Sequence, residues 1–196
     1  MRKVTLDELL EIATNSREGV WANAQAIGRE PKIYLHWTAG HYNQLFDDYH
    51  ISITGDGDIF IATDDFSETL SHTYRRNTGS IGIALCCAVG ATSNDLGSEP
   101  PTPKQVEIMA QVIAVVAKAL WLTIDKFHVM THGEAADNFD EIWAHEPYGP
   151  QTTCERWDLQ FLGTAESPSY TTDYDDPSTG GNVLRGKANW YANNGI

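Results

Sequence analysis

Cationic side chains are scarce in this sequence: Lys and Arg number 13 against 27 Asp and Glu, a formal net charge of −14 over 196 residues. That balance offers no positive footprint to nucleic acid or to an anionic membrane surface, so neither is expected as a partner. Cysteine is almost as rare. Three cysteines cannot pair completely, and Cys86 and Cys87 are neighbours in a run that reads as a strand, where successive side chains point to opposite faces. No disulfide framework is expected. Apolar runs fall well short of the ~18–20 residues that cross a bilayer, and the opening MRKVTLDELLEIA carries acids where a secretory signal would place its apolar stretch. Synthesis in the cytoplasm without a signal peptide is the expectation.

What the chain does contain is the composition of a folded protein, with 41% hydrophobic and 10% aromatic residues. A chain of this length buries about 70% of its unfolded surface, so a metal would serve chemistry rather than folding. Thr5-Leu6-Asp7-Glu8 is a capping box ahead of Leu9, Leu10, Ile12 and Ala13, which predicts a helix to about Ser16. Ile33-Tyr34-Leu35-His36-Trp37 reads as a buried strand ending at Thr38-Ala39-Gly40. The runs 49–54 and 58–62 flank Gly55-Asp56-Gly57 and predict a hairpin. In Ser80 to Val89, Gly82 and Ala84 alternate with Ile81, Ile83 and Leu85, so something packs closely on the small face. Thr102-Pro103-Lys104-Gln105 opens an almost wholly apolar helix that ends near Leu122, and Phe127 to Thr131 is a last strand. Three stretches result: a helical segment over 1–30, an α/β domain over 31–163, and an extended or partly docked tail over 164–196, rich in Ser, Thr, Asp, Gly and Pro.

Of the seven histidines, His36 and His132 stand apart because each ends a predicted strand just before a glycine-containing turn. Ends of neighbouring strands bring two imidazoles to one ion, and catalytic zinc takes three protein ligands plus water. His50 and His128 read as packed within strands, and His41 and His145 as facing solvent.

Around these positions, Ile33-Tyr34-Leu35-His36-Trp37-Thr38-Ala39-Gly40 resembles the "hydrophobic, His, x, Thr/Ser, Ala, Gly" signature of the type-2 N-acetylmuramoyl-L-alanine amidases, a family that includes phage endolysins and is related to the peptidoglycan recognition proteins. Further segments match in the same chain order: Asp48-Tyr49-His50-Ile51-Ser52-Ile53 with Gly55-Asp56-Gly57, Ser71-His72 with Asn77-Thr78-Gly79-Ser80-Ile81-Gly82-Ile83, Thr102-Pro103-x-Gln105, and Thr131-His132-Gly133-Glu134. The resemblance spans about Pro31 to Leu162.

It implies a central mixed β-sheet flanked by α-helices, with one zinc ion at one edge of the sheet, held by His36, His132 and a third ligand. At the third position the family carries a basic residue, one intervening residue, then Asp or Cys. Arg156-Trp157-Asp158 fits, with Asp158 as the ligand and Arg156 as the cation. Cys154 is the competing donor, in a register that puts Thr152 in the basic position. The resemblance further implies Tyr49 and Arg156 as catalytic groups that stabilise a developing oxyanion, and His72 and Asn77 as substrate-binding residues lining the groove. Ala84 stands where many members carry a glutamate, and Glu134 is the candidate substitute. The implied activity is hydrolysis of the amide between N-acetylmuramic acid and the L-alanine of the stem peptide. Peptidoglycan is then the partner of a monomeric endolysin or autolysin released to the wall by a holin, lysis or secretion. The alternatives are a non-catalytic peptidoglycan-binding module and a zinc amidohydrolase of another amide.

Overall fold

The computed structural model describes residues 1–137 and 157–196. Their elements, in chain order, are β1 (Arg2–Val4), α1 (Leu6–Ala26), β2 (Lys32–Trp37), β3 (Ile51–Ile53), β4 (Ile59–Ile61), β5 (Ser80–Leu85), α2 (Pro103–Leu120), β6 (Val129–Thr131), α3 (His132–Ala136) and α4 (Gly180–Asn194). The strands form one mixed sheet in the order β1-β4-β3-β5-β2-β6, antiparallel at β1/β4 and β4/β3 and parallel from β3 through β5 and β2 to β6.

Every residue of β2 and of β5 is buried, as expected of parallel strands covered on both faces. The two faces nevertheless differ in kind. Ile33, Leu35, Ile51, Ile53, Ile81, Ile83, Leu85 and Val129 point into the main apolar core, which α1 and α2 complete. On the opposite face, β2 presents Tyr34 and His36, β5 presents Gly82 and Ala84, and Tyr34 packs with Met130 and Ala135. The helix-covered face supplies the apolar burial that holds the sheet together, and the other face is left for polar side chains.

The capping boxes form as expected. Thr5 Oγ1 accepts from the Glu8 amide at 3.2 Å while Glu8 accepts from the Thr5 amide at 2.7 Å. Thr102 and Gln105 make the same pair of bonds. Helix α1 continues well past Ser16 to Ala26, because Leu9, Ala13, Ser16, Val20 and Ala24 keep one buried stripe and Gly19 lies where a Cβ would come 2.8 Å from Ser67. Arg17 and Trp21 on this helix donate to the carbonyls of Ala119 and Leu120, which α2 leaves open at its C-terminus. Helix α2 is buried almost all round, between the sheet, α1 and α4. Gln105 at its start donates to the Ile53 and Cys86 carbonyls, tying it to the ends of β3 and β5.

The C-terminal region, expected as an extended or partly docked tail, contains a docked helix. Residues 180–194 form a helix, capped by the Thr179 hydroxyl, that buries Leu184, Arg185 and Ala188 against the body of the fold. Cys86 and Cys87 are buried free thiols, and burial pushes the Cys86 thiol up to about 12. No described helix is long and apolar enough to cross a membrane.

Candidate metal centre

Strands β2 and β6 are parallel neighbours with Leu35 paired to Thr131, so the next residue on each is a histidine: His36 on one and His132 on the other. At that point β6 stops and α3 begins. Thr131 caps α3, its hydroxyl accepting from the Glu134 amide at 3.0 Å, and the Glu134 carboxylate accepts from the Thr131 amide at 2.8 Å. The box closes around His132 and sets the direction of its backbone. Asp158 arrives from a distant part of the chain. Its carbonyl accepts from the Gly133 amide at 3.4 Å, and a Cβ on Gly133 would lie 3.0 Å from Gln160 and 3.2 Å from the Asp158 carbonyl oxygen. Glycine at 133 therefore lets segment 158–160 lie close against the start of α3.

Three donor atoms converge. His36 Nδ1 and His132 Nδ1 are 3.2 Å apart, and Asp158 Oδ2 lies 3.4 Å from the first and 3.5 Å from the second. All three residues are buried, and among the described residues they form the one group of three or more side chains suited to hold a metal ion. Ligands bound at ~2.0–2.1 Å in a tetrahedron stand about 3.3 Å from one another. The observed triangle, made by three donors among the described residues, matches that face. Two imidazoles and one carboxylate are also the donor chemistry of catalytic zinc. The residues fit the ion on both counts.

Behind His36 runs a hydrogen-bonded chain whose direction follows from Nδ1 facing the centre. His36 Nε2 then donates to Thr73 Oγ1 at 3.3 Å, and the Thr73 hydroxyl donates to His72 Nδ1 at 2.9 Å. His72 Nε2 lies 3.4 Å from Ser80 Oγ, which donates to the Asn77 carbonyl at 2.7 Å. The arrangement requires a neutral His72. Burial, with the neighbouring His36, His50 and His132, holds its pKa well below the ordinary histidine range. The His72 ring packs 5.3 Å from that of His36 and rests on the sheet at Gly82, where a Cβ would come 2.6 Å from its Cγ. This is the close packing that the small residues of β5 predict. Asn77 accepts the amides of His72 and Thr73 at 3.1 and 2.8 Å, holding the loop that delivers both. His72 and Asn77, expected along a substrate groove, are thus buried and bonded inward behind His36. The one sign of Thr73's role in the sequence is its adjacency to His72.

His50 is buried, as expected. It accepts from the Gly82 amide at 3.0 Å and donates to the Glu68 carbonyl at 2.7 Å, and burial lowers its pKa to about 4. Tyr49 packs its ring 5.0 Å from that of His36, with its hydroxyl 3.5 Å from the Trp37 carbonyl. Trp37 is buried and Trp157 is exposed. His128 is only partly buried and bonds Asp125 and Glu30, and His41 is exposed beside Glu99. Arg156, Cys154 and His145 lie outside the described residues.

Ala84 is paired with His36 across the sheet, so a longer acid there would have reached the centre. Glu134 does not replace it. Its carboxylate is turned away toward α4, where Arg185 donates to both oxygens at 2.8 Å.

Fold and donor set together define an α/β protein in which two parallel strands end at the sheet edge in a group of side chains that could hold a metal ion. The sequence profile described as N-acetylmuramoyl-L-alanine amidase matches residues 21–156, and the chain belongs to that family. The match stops two residues short of Asp158, so the third donor is identified by its position beside the two histidines. No curated protein matches the chain. Among solved structures, the Ph2119 endolysin from Thermus scotoductus MAT2119 bacteriophage Ph2119 is 18% identical, over 55% of this chain and 74% of its own, with a TM-score of 0.41. Drosophila PGRP-LB is 18% identical over 74% of this chain and 85% of its own, with a TM-score of 0.43. These are distant likenesses.

Proposed function

We propose that the protein is a zinc-dependent amidase that hydrolyses the bond between the lactyl group of N-acetylmuramic acid and the L-alanine of the stem peptide. It would serve as a phage or prophage endolysin or an autolysin, reaching the wall as a monomer through a holin, lysis or secretion. The observation that carries this reading is the triangle of His36 Nδ1, His132 Nδ1 and Asp158 Oδ2, with edges of 3.2–3.5 Å. Its support in sequence is the family match.

A zinc ion bound there supplies a Lewis acid for the amide carbonyl and lowers the pKa of a water molecule toward about 7. The remaining roles belong to the chain. His36 and His132 stay neutral to serve as donors, and the chain through Thr73 and His72 keeps the His36 proton on Nε2. Tyr49, packed against His36, donates its hydroxyl to the oxyanion that develops as the carbonyl is attacked. Arg156 adds a fixed positive charge that it does not lose at any working pH. His72 and Asn77 act on substrate indirectly, by holding Thr73 and His36 in place.

The test is mass spectrometry of peptidoglycan fragments incubated with the protein, with and without a chelator. Stem peptides beginning with L-alanine are expected, abolished by the chelator and restored by zinc. Tight zinc binding with no cleavage across several wall chemistries would overturn the amidase reading in favour of a binding module. Ala84, with no carboxylate opposite His36, is the observation on that side.

A further inference from the structure

The family match ends at residue 156, yet the chain beyond it reaches back to both segments that carry the metal donors. Arg185, on the second turn of α4, is buried and donates to Glu134 Oε1 and Oε2, to the Val129 carbonyl on β6 at 2.9 Å and to Asn182 Oδ1 at 2.8 Å. Glu134 is the same carboxylate that closes the capping box around His132. A single guanidinium therefore grips the strand before His132 and the helical turn after it.

The start of α4 is shaped for this approach. A Cβ on Gly181 would lie 2.4 Å from Glu134 Oε1, and one on Gly180 would lie 1.8 Å from the Leu159 carbonyl oxygen. The Gly180 amide donates to the Gln160 carbonyl at 3.0 Å, two residues from Asp158. Tyr174 completes the connection: its hydroxyl accepts from Gln160 Nε2 at 3.1 Å and bonds Asp137 at the end of α3. The two donor-bearing segments are thus held against each other through residues 174–185.

We propose that this C-terminal segment is a clamp on the metal centre, in which Arg185 is the positioning residue, acting through Glu134 on His132, and Tyr174 secures the Asp158 segment. The proposal rests on the reading of His36, His132 and Asp158 as a zinc site, and it does not depend on which bond the protein cuts. The bidentate fork matters because a carboxylate gripped at both oxygens cannot rotate away from the Thr131 amide. Lysine supplies the charge without the fork.

The test is made on the full chain with three variants: Arg185→Lys, Tyr174→Phe and Lys187→Ala. Lys187 is the control because it sits on the same helix and docks it through Glu107 and Glu166 without touching Glu134. Zinc affinity is measured by competition with a chromophoric chelator, the site geometry by the visible spectrum of the cobalt(II)-loaded protein, and the metal-free fold by melting temperature and near-UV circular dichroism. Arg185→Lys is expected to lose about 10- to 100-fold in zinc affinity and to change the cobalt spectrum. Lys187→Ala is expected to lower the melting temperature and leave zinc affinity unchanged. Should Arg185→Lys fail to fold, Tyr174→Phe carries the test, with an expected loss of about 10-fold and an intact fold. Wild-type zinc affinity in both Arg185→Lys and Tyr174→Phe, or an equal loss in Lys187→Ala, overturns the clamp. Failure of the wild-type protein to bind zinc overturns the metal centre itself. Tight zinc binding without amidase activity would overturn only the proposed reaction.

Discussion

His50 provides a prediction whose size follows from its surroundings. The side chain is fully buried, accepts a bond from the Gly82 amide and donates one to the Glu68 carbonyl, so only the neutral ring with its proton on Nε2 fits. Burial lowers the pKa from 6.5 to about 4. A histidine whose folded pKa is depressed contributes stability that is fully present above pH 6.5 and is lost as pH falls from there through about 4, because the unfolded chain takes up the proton first. The shift corresponds to about 3 kcal/mol in total, of which about 2 kcal/mol is gone by pH 5. Near pH 5 this one site contributes close to one proton of difference, or about 1.4 kcal/mol per pH unit. Urea unfolding of the metal-free protein at a series of pH values measures that slope directly. His50→Gln keeps a donor for Glu68 and cannot titrate, so its stability should fall less steeply between pH 6 and 4.5 by about that amount. The comparison of slopes is independent of any constant stability lost by the substitution. A variant with the wild-type slope would refute the reasoning and place the acid sensitivity elsewhere.

Three further outcomes are expected. Asp158→Asn should lower zinc affinity by more than about 100-fold, beyond the usual effect of losing a group behind a ligand, whereas Cys154→Ser should leave it unchanged; equilibrium dialysis with zinc checks both. Thr73→Val, which removes the hydroxyl between His36 and His72, should lower zinc affinity by about 10- to 100-fold, with recovery in Thr73→Ser. Tyr49→Phe should reduce kcat by about 10²–10³ without changing zinc affinity, measured on soluble muropeptides.

Much of this site was legible in the chain because its parts are local patterns. A short β-rich run that ends in His36 and a turn, the capping boxes at Thr5 and Thr102, and the small residues Gly82 and Ala84 each report a neighbourhood of a few residues. Each has a direct counterpart in the fold. The seating of His72 was not legible in the same way. Its adjacency to Thr73 and Asn77 is visible, but whether the ring faces a groove or the sheet depends on the absent Cβ of Gly82 on another strand. Helix α4 was obscured for a different reason. Its sequence is rich in Gly and Asn, Leu184 and Ala188 are its only fully buried apolar side chains, with Val183 and Tyr191 packing at the margin, and one of its anchors is a bidentate pair between residues 51 positions apart. Isolated helices of such composition are not stable in water, and the surface they dock on supplies the difference.

By itself the sequence determined the α/β class, the burial of the central strands and the delivery of two histidines to strand ends, because hydrophobic period, caps and turns act over a few residues. Only the tertiary structure decided the rest: the parallel pairing that puts His36 beside His132, the arrival of Asp158 from a distant segment, and the engagement of Glu134 by Arg185 instead of by substrate. Those choices rest on contacts between residues far apart in the chain, and such contacts exist only once the packed sheet and helices have brought the segments together.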